Sequence, residues 1–261
     1  PKNVISAGIN STSQISTIKK FLELNNIQKT IFLTPISNYE FEIKKGIKDS
    51  KVRIYRNYDY NTEPTKLTER IEEITNYKIR KKNLEDEIKR LEESNETNKE
   101  KKILNLKKLD TIGKLNFDSI IISDFDESLK SVITSLLYTD VSPKNKYIIT
   151  FNQWFDKSLL NEKTLQPIYY PSINKENLEI FEKKFINKFN EKSNHLALLS
   201  YDLIGLIYYL SYKNNTSDLK KLFKEKNSFK GKIGIFDIEK NRINHILNFY
   251  KIEDKKFKKI F

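Results

Sequence analysis

Four apolar segments of this sequence are each followed by residues that could bind a ligand or take part in catalysis. These residues are 37–39, 124–126 and 152–154, and the turn after Tyr170. Hydroxyl, amide and aromatic groups with a few carboxylates suit the binding of a small polar ligand better than bond cleavage. Because an open parallel sheet binds its ligand at the carboxyl ends of the strands, we expect these residues to share one edge of a sheet.

The other reactive residues give little support for a catalytic or metal site. Asp124 and Asp126 could act as paired carboxylates, but acidic residues before a helix also complement its positive end, and we favour that interpretation. His195 and His245 lie outside the predicted strand ends and lack a ligand four residues away, so we interpret both as surface or boundary residues. The six glycines form no phosphate-binding fingerprint, and the chain has no cysteine. We therefore predict a protein that is not an enzyme and holds no metal or cofactor.

Short apolar segments alternate with helical patterns along most of the chain. We predict strands at residues 4–9, 30–34, 52–58, 117–123, 146–151 and 165–170, with helices between them. Residues 231–238 and 243–252 are predicted to close the chain as an antiparallel pair. Such alternation predicts the α/β class, with a mostly parallel sheet flanked by helices on both faces.

A charged segment interrupts this alternation. Pro64 stands near the first turn of a predicted helix, in which apolar positions keep helical spacing from Leu67 to about Glu93. Residues 94–98 are typical of a turn and a returning helix follows, so we predict a helical hairpin insertion over residues 64–110. We interpret this hairpin as a solvated projection, and the alternative is a contact surface for another protein.

Charge and hydropathy bear on the partners. The 48 Lys and Arg against 35 Asp and Glu give a formal charge of +13, which favours anionic partners. The lysines are scattered rather than interleaved with stacking aromatics, so we predict no nucleic-acid partner and keep an anion- or nucleic-acid-binding protein as the weakest hypothesis. Residues 196–210 form the longest apolar stretch, which is shorter than the roughly 20 residues of a membrane span. We predict that the chain does not span a membrane.

Three strings carry a family resemblance. "TIFLTPISNY" (residues 30–39) resembles the strand and loop that open the second lobe of type 1 periplasmic binding proteins of the leucine/isoleucine/valine-binding class. "HLALLSYDLIGLIYYL" (195–210) is similar to that family's Ala-x-x-Ala-Tyr-Asp-Ala helix, and "FKGKIGIFDIEKNRINHILNFYKI" (229–252) resembles its closing hairpin. The resemblance implies an incomplete first lobe ending at residues 1–29, a second lobe at 30–247 that carries the insertion, and a return segment at 248–261.

Two further strings resemble one branch of this family. The hairpin followed by "LDTIGKLNFDSIIISD" (109–124) and "ITFNQWFDKSLL" (149–160) is similar to alphaproteobacterial penicillin-binding-protein activators, which are related to lipoprotein regulators of peptidoglycan synthases. The resemblance implies a non-catalytic periplasmic binding module with an envelope protein such as a peptidoglycan synthase as its partner. The alternative is a solute-binding receptor of an ABC importer for amino acids, with an ABC permease as its partner.

The first residues bear on processing, and departures from the family pattern bear on the ligand site. Residues 1–4 lack an initiator Met and the apolar core of a signal peptide, so we expect a processed chain, with any lipid anchor on an upstream segment. Where amino-acid binders have Tyr-Gly after the second-lobe strand, this chain has Tyr39 and Glu40, and Asn-Gln-Trp replaces the expected Gly-rich loop. On position alone, the predicted ligand-binding residues are Tyr39, Phe125, Asn152 and Trp154.

Overall fold

A computed structural model of the chain describes residues 6–37, 39–223, 226–232, 234–239 and 242–261. Its strands are β1 (Thr30–Pro35), β2 (Arg56–Tyr60), β3 (Ser119–Ile122), β4 (Tyr147–Thr150), β5 (Ile168–Ser172), β6 (Asn227–Lys230), β7 (Ile235–Glu239), β8 (Arg242–Ile246), β9 (Asn248–Glu253) and β10 (Lys256–Lys259). Its helices are α1 (Ser11–Leu24), α2 (Glu40–Ser50), α3 (Pro64–Thr75), α4 (Tyr77–Glu93), α5 (Lys99–Leu106), α6 (Asp126–Tyr138), α7 (Lys175–Phe189), α8 (His195–Asn214) and α9 (Leu219–Leu222).

The larger of two sheets has seven strands in the order β10-β9-β5-β4-β3-β1-β2. Strands β1 to β5 run parallel, while β9 pairs antiparallel with both β5 and β10. Helix α1 covers one face of this sheet, and α3 and α6 cover the other. The predicted α/β class, with a mostly parallel sheet flanked by helices, is confirmed.

The central strands are buried on both faces, which explains their continuous apolar sequences. All residues of β1 and β3 are buried. Successive side chains of a strand point to opposite faces. Accordingly Ile121 lies in the same apolar cluster as Ile15 of α1, whereas Ile120 and Ile122 lie in the cluster that contains Val132 of α6. Two-sided burial of this kind is typical of parallel sheets.

Several predicted boundaries are wrong. The helix predicted through Glu93 is broken at Asn76, whose φ of 51° is left-handed and ends α3 before α4 begins. The strand predicted at 52–58 lies at Arg56–Tyr60, and the one predicted at 243–252 is two strands separated at Leu247. The strand predicted at 4–9 lies partly outside the described residues, and Ser6 forms an isolated bridge with Arg242.

The smaller sheet has three antiparallel strands in the order β6-β7-β8. Its apolar core is separate from that of the larger sheet and includes Leu206 and Leu210 of α8 with Phe236 and Ile243 of the sheet. Residues 1–29 and 248–261, which the resemblance placed in the first lobe and its return segment, contribute α1, β9 and β10 to the larger sheet and its cover.

A buried arginine attaches the predicted hairpin insertion to the rest of the protein. Helices α4 and α5 contact each other, and the α4 residue Arg80 is 6% exposed. Its Nη1 donates to the Thr139 carbonyl oxygen at 3.1 Å, and its Nη2 donates to Thr111 Oγ1 at 2.5 Å and to Asp140 Oδ2 at 3.2 Å. This guanidinium therefore joins α4 to the segments that follow α5 and α6.

Removing this guanidinium should destabilise the fold. We expect Arg80→Ala to lower the free energy of unfolding by about 2–3 kcal/mol, because the partner groups lose a buried donor while Asp140 keeps some contact with water. Arg90→Ala on the same helix is the matched control, since Arg90 forms only exposed ion pairs, and it should leave the unfolding midpoint unchanged. Urea unfolding monitored by circular dichroism gives the unfolding midpoint of each variant. Equal midpoints for the two variants would contradict the stabilising role of Arg80.

His245 lies buried at the junction of α1 and β8, so its interpretation as a surface or boundary residue is wrong. Its backbone N–H donates to Ser13 Oγ at 2.9 Å, and its Nε2 donates to the Ala7 carbonyl oxygen at 3.1 Å. Burial lowers the pKa of His245, and the Ala7 hydrogen bond and the charge of Asp202 oppose this shift only in part.

Stability should therefore decrease on mild acidification. The folded protein favours the neutral form of His245, so the folded-state pKa of this residue lies below its unfolded value of about 6.5. As the pH falls below about 6.5, the unfolded chain binds a proton more readily than the folded protein does, and the free energy of unfolding decreases. We expect the melting temperature of the native protein to fall between about pH 7.5 and pH 5.5, and that of His245→Gln to fall less, because the variant has no such titration. An equal decrease in melting temperature for the two proteins over this pH range would rule out the titration of His245 as the cause.

Candidate functional site

The four predicted ligand-binding residues follow neighbouring strands and leave the sheet at one edge. Tyr39 follows β1, Phe125 follows β3, and Asn152 and Trp154 follow β4, which are adjacent and parallel in the sheet. Parallel strands end at the same edge, so the topology brings all four together. We call these residues and Asp124 the carboxyl edge.

Asp124 is a buried carboxylate whose oxygens are bonded within the chain. Its Oδ2 accepts hydrogen bonds from the Tyr60 hydroxyl and the Ser128 hydroxyl, both at 2.6 Å. Its Oδ1 accepts from the Phe125 backbone N–H at 2.9 Å. Ser128 and Phe125 belong to the first turn of α6 and its cap, so the carboxylate fixes the start of this helix. The interpretation of this acid as a helix-terminal residue agrees with these contacts.

Two aromatic rings of the carboxyl edge face solvent near this carboxylate. Tyr39 is 42% exposed and Phe125 is 37% exposed. Partial burial raises the pKa of the Tyr39 hydroxyl, and the negative charge of Asp124 raises it further. Burial, followed by the charge of Asp124, also raises the pKa of Tyr60. Both phenols are therefore neutral near pH 7, and the edge presents uncharged aromatic surface above a buried acid.

Asn152 is buried and holds the loop after β4. Its Oδ1 accepts from Ser172 Oγ at 2.8 Å and from the Trp154 backbone N–H at 3.0 Å. The Asn152 backbone N–H donates to Gln14 Oε1 at 2.7 Å. Its side-chain Nδ2 is buried and has no hydrogen-bond partner among the described residues. Asn152 thus offers one amide donor that the chain itself leaves unused.

Trp154 connects the loop after β4 to helix α8. Its φ of 47° and that of Phe155, 58°, lie in the left-handed region, which is strained for non-glycine residues. The Trp154 ring stacks on the His195 ring at the start of α8, with centroids 4.7 Å apart. Asn152 Oδ1 holds the turn by accepting from the Trp154 N–H. The strained turn therefore directs the indole onto α8.

Two residues of the site, Gln14 and Tyr60, lie outside the segments selected from the sequence. Gln153 and Ser172 lie inside those segments but were not named as ligand-binding residues. Gln153 Nε2 donates to the Asp124 carbonyl oxygen at 3.1 Å and so joins the loop after β4 to the loop after β3. The burial of Tyr60 as the last residue of β2 could have indicated its role. Gln14 gave no local signal, because 138 residues separate it from Asn152.

The arrangement is suited to contact and binding. Within the described ranges, no group of three or more His, Asp or Glu side chains is placed to hold a metal ion. Within those same ranges no helix is long and apolar enough to cross a membrane. What the edge offers to another molecule is the unused Asn152 donor and the rings of Tyr39, Phe125 and Trp154.

Comparisons with known proteins bear on the fold. No protein-family model matches the chain, and no curated protein sequence does. By contrast, 279 chains of solved structures match it. A putative branched-chain amino acid ABC transporter protein from Rhodospirillum rubrum superposes with a TM-score of 0.64 and 10% identity, covering 97% of this chain and 66% of that one.

Two other solved structures superpose on the chain with similar TM-scores. A branched-chain amino acid ABC transporter periplasmic ligand-binding protein from Burkholderia xenovorans LB400 has a TM-score of 0.61 and 10% identity, covering 98% of this chain and 64% of that one. Full-length LpoA from Haemophilus influenzae has a TM-score of 0.56 and 11% identity, covering 97% and 40%.

The protein has the fold of type 1 periplasmic binding proteins. The resemblance drawn from the three sequence strings is thereby confirmed at the level of the fold. Sequence identities of 10 to 11% show the fold and do not show a shared function. The chain spans 66%, 64% and 40% of the length of these three structures.

Proposed function

We propose that this chain is a non-catalytic, extracytoplasmic binding module that acts through protein contacts in the cell envelope, in the manner of penicillin-binding-protein activators. Two findings support the proposal. The chain has the fold of type 1 periplasmic binding proteins, and LpoA shares that fold. The charged hairpin of α4 and α5 is attached by the hydrogen bonds of the buried Arg80 and adds exposed surface to this fold.

The composition of the carboxyl edge is the observation that carries the proposal. Small polar ligands are recognised by several convergent polar groups in a pocket. Here the buried carboxylate of Asp124 already accepts three hydrogen bonds from its own chain, and what remains exposed are the rings of Tyr39 and Phe125. Exposed aromatic rings on a rigid base are typical of the residues that dominate protein–protein binding energy.

We also assign the lobes in this proposal. The seven-stranded sheet with α1 forms one lobe, and the three-stranded sheet with α8 belongs to the other. The separate apolar core that contains Leu206 and Leu210 supports this division. The start of α8 contacts the first lobe of this division, since Leu198 lies in the core of the seven-stranded sheet and the His195 ring stacks on Trp154. Hinge motion between such bodies would change the distance between α8 and the carboxyl edge.

Binding to a peptidoglycan synthase tests the proposal. We expect the purified extracytoplasmic domain of such a synthase, from the organism that encodes this chain, to bind the immobilised chain in biolayer interferometry. The double variant Tyr39→Ala, Phe125→Ala should weaken binding by about tenfold or more, since each ring contributes at the centre of the contact. Tyr138→Ala is the matched control, because Tyr138 is an exposed ring at the far end of α6, and it should bind like the native chain. Unchanged binding by the double variant would refute the role of the edge.

A solute-binding receptor of an ABC importer is the second candidate. The buried Asn152 Nδ2 without a partner favours it, because an unused buried donor is costly and a ligand oxygen would satisfy it. A substrate-binding protein from Desulfitobacterium hafniense with a TM-score of 0.57 was crystallised in complex with Leu. A small polar ligand such as an amino acid would then bind between the lobes, and an ABC permease would be the partner.

Thermal stability in the presence of amino acids separates the two candidates. A ligand that binds only the folded chain, at about 100 times its Kd, stabilises that chain by about 2.7 kcal/mol. If the receptor candidate holds, one or more amino acids will raise the melting temperature, and Asn152→Asp will abolish that rise because it replaces the donor while keeping an acceptor for Ser172 and Trp154. Our primary proposal predicts no rise with any amino acid. A rise that survives in Asn152→Asp would contradict the role given to this amide.

A further inference from the structure

A small cavity lies at the amino-terminal edge of the seven-stranded sheet, where β1, β2 and β3 begin. We call it the amino-edge cavity. Its volume is about 190 Å³, and its polar lining consists of Tyr55, Arg56, Tyr58, Thr75, Asn76 and Asn116. These residues belong to β2 and the residue before it, to the end of α3 with its cap, and to the segment before β3.

The amino-edge cavity lies at the opposite end of the strands from α8 and the three-stranded sheet. Helix α8 contacts the seven-stranded sheet at the carboxyl edge, where the His195 ring stacks on Trp154 after β4. The cavity is built wholly from the seven-stranded sheet, the end of α3 and the segment before β3. A cover over the exposed side of α8 would therefore leave this cavity accessible.

An arginine and a lysine flank the Tyr55 ring beside the cavity. Arg56 Cζ lies 5.2 Å and Lys29 Nζ 5.5 Å from the ring centroid, within the range of a cation–π interaction. Lys29 Nζ donates to Asn116 Oδ1 at 2.7 Å, and Asn116 Nδ2 donates to the Tyr55 hydroxyl at 2.9 Å. Asp118 Oδ2 accepts from the Lys29 backbone N–H, but in the described part of the chain neither cationic side chain forms an ion pair.

The cavity offers hydrogen-bond donors to a bound molecule. The Arg56 guanidinium makes one long hydrogen bond, from Nη1 to the Tyr58 hydroxyl at 3.4 Å, which leaves its other N–H groups available. The hydroxyl protons of Tyr55 and Tyr58 and the side-chain amide of Asn76 have no acceptor among the described residues. No Asp or Glu of the described ranges lines the cavity. Such a set of donors without a carboxylate is suited to an oxoanion.

The size and charge of the cavity favour a phosphate group over other anions. Pockets for drug-sized ligands measure about 300–1,000 Å³. A water molecule occupies about 30 Å³ in the liquid, so this cavity holds about six groups of that size. Two cations balance the charge of about −1.5 to −2 that a phosphate monoester carries near pH 7, whereas a carboxylate carries a single charge. The planar guanidinium of Arg56 matches two phosphate oxygens at once.

We propose that the amino-edge cavity binds the phosphate group of a small soluble molecule. Arg56 donates to two of its oxygens, the hydroxyls of Tyr55 and Tyr58 and the amide of Asn76 donate to the others, and Lys29 supplies the second positive charge. This proposal goes beyond the function proposed above. The cavity and the carboxyl edge lie at opposite ends of the same strands, so the phosphate group and a protein partner do not compete for one surface.

Inorganic phosphate serves as the probe. The complete ¹⁵N-labelled chain is titrated with sodium phosphate near pH 7 at constant ionic strength, and backbone amide chemical shifts are measured by NMR. We expect saturable shifts at Tyr55, Arg56, Asn76 and Asn116, with a dissociation constant of about 1 mM or below. Sodium acetate should bind at least about tenfold more weakly, because it has one charge and two oxygens.

Variants test whether the arginine fork holds the phosphate. Arg56→Gln should weaken phosphate binding by about tenfold or more, and Arg56→Lys should restore only part of the affinity, because it keeps the charge and loses the two-oxygen contact. Arg53→Gln is the matched control, since Arg53 is also exposed and lies outside the cavity, and it should bind like the native chain. Equal melting temperatures of the phosphate-free proteins separate lost binding from misfolding.

The following results would overturn the proposal. An unchanged dissociation constant in Arg56→Gln, or acetate binding as tight as that of phosphate, excludes the predicted recognition. Shifts that rise without saturation at lysines over the whole surface would show unspecific attraction by the net positive charge. Saturable shifts confined to Tyr39 and Phe125 would place the anion at the carboxyl edge. Binding of phosphatidic acid vesicles without any binding of free phosphate would identify a lipid surface as the ligand.

Discussion

The burial of the central parallel strands on both faces is the constraint on which the rest of the structure depends. Strands β1, β3 and β4 have nearly continuous apolar sequences because helices cover both of their faces. Parallel strands all end at the same edge, so their polar continuations must meet there. The position of the candidate site thus follows from the pattern of burial rather than from any single motif.

The polar groups at this edge mostly serve the fold. Asp124 fixes the start of α6, Gln153 joins two strand ends, and Asn152 holds a strained turn. Because these groups are bonded to one another, the edge is rigid and presents aromatic rings in fixed positions. One donor, Asn152 Nδ2, is left over, and whether another molecule uses it distinguishes a solute receptor from a module that binds proteins.

Much of the fold could be predicted from the sequence, and the failures have physical causes. Continuous apolar segments identified β1, β3 and β4 because both faces of these strands are buried. The break at Asn76 was missed because helical spacing continues across it, from α3 into α4. The separation of β8 from β9 at Leu247 was missed because no Gly or Pro marks it. The burial of His245 could have been predicted, since it lies two residues after the buried Ile243 on the same face of β8.

The place of the candidate residues in the fold has a similar explanation. Parallel strands end at one edge, and the structure places Tyr39, Phe125, Asn152 and Trp154 after the adjacent strands β1, β3 and β4, while their role in ligand binding stays a prediction. Contacts such as that of Gln14 with Asn152 depend on tertiary packing between distant segments, for which a single sequence holds no local signal. The stack of Trp154 on His195 depends on a left-handed turn that its residue types do not favour.

Hydrogen–deuterium exchange in the presence of a binding partner tests the central claim most directly, namely that the carboxyl edge is a contact surface. With a peptidoglycan synthase domain bound, the account predicts slower exchange in peptides that contain Tyr39 and Phe125. It predicts unchanged exchange at the opposite, amino-terminal edge of the sheet, for example around Lys146 before β4 and Gln166 before β5. Slower exchange confined to those amino-terminal segments, with none at Tyr39 or Phe125, would contradict it.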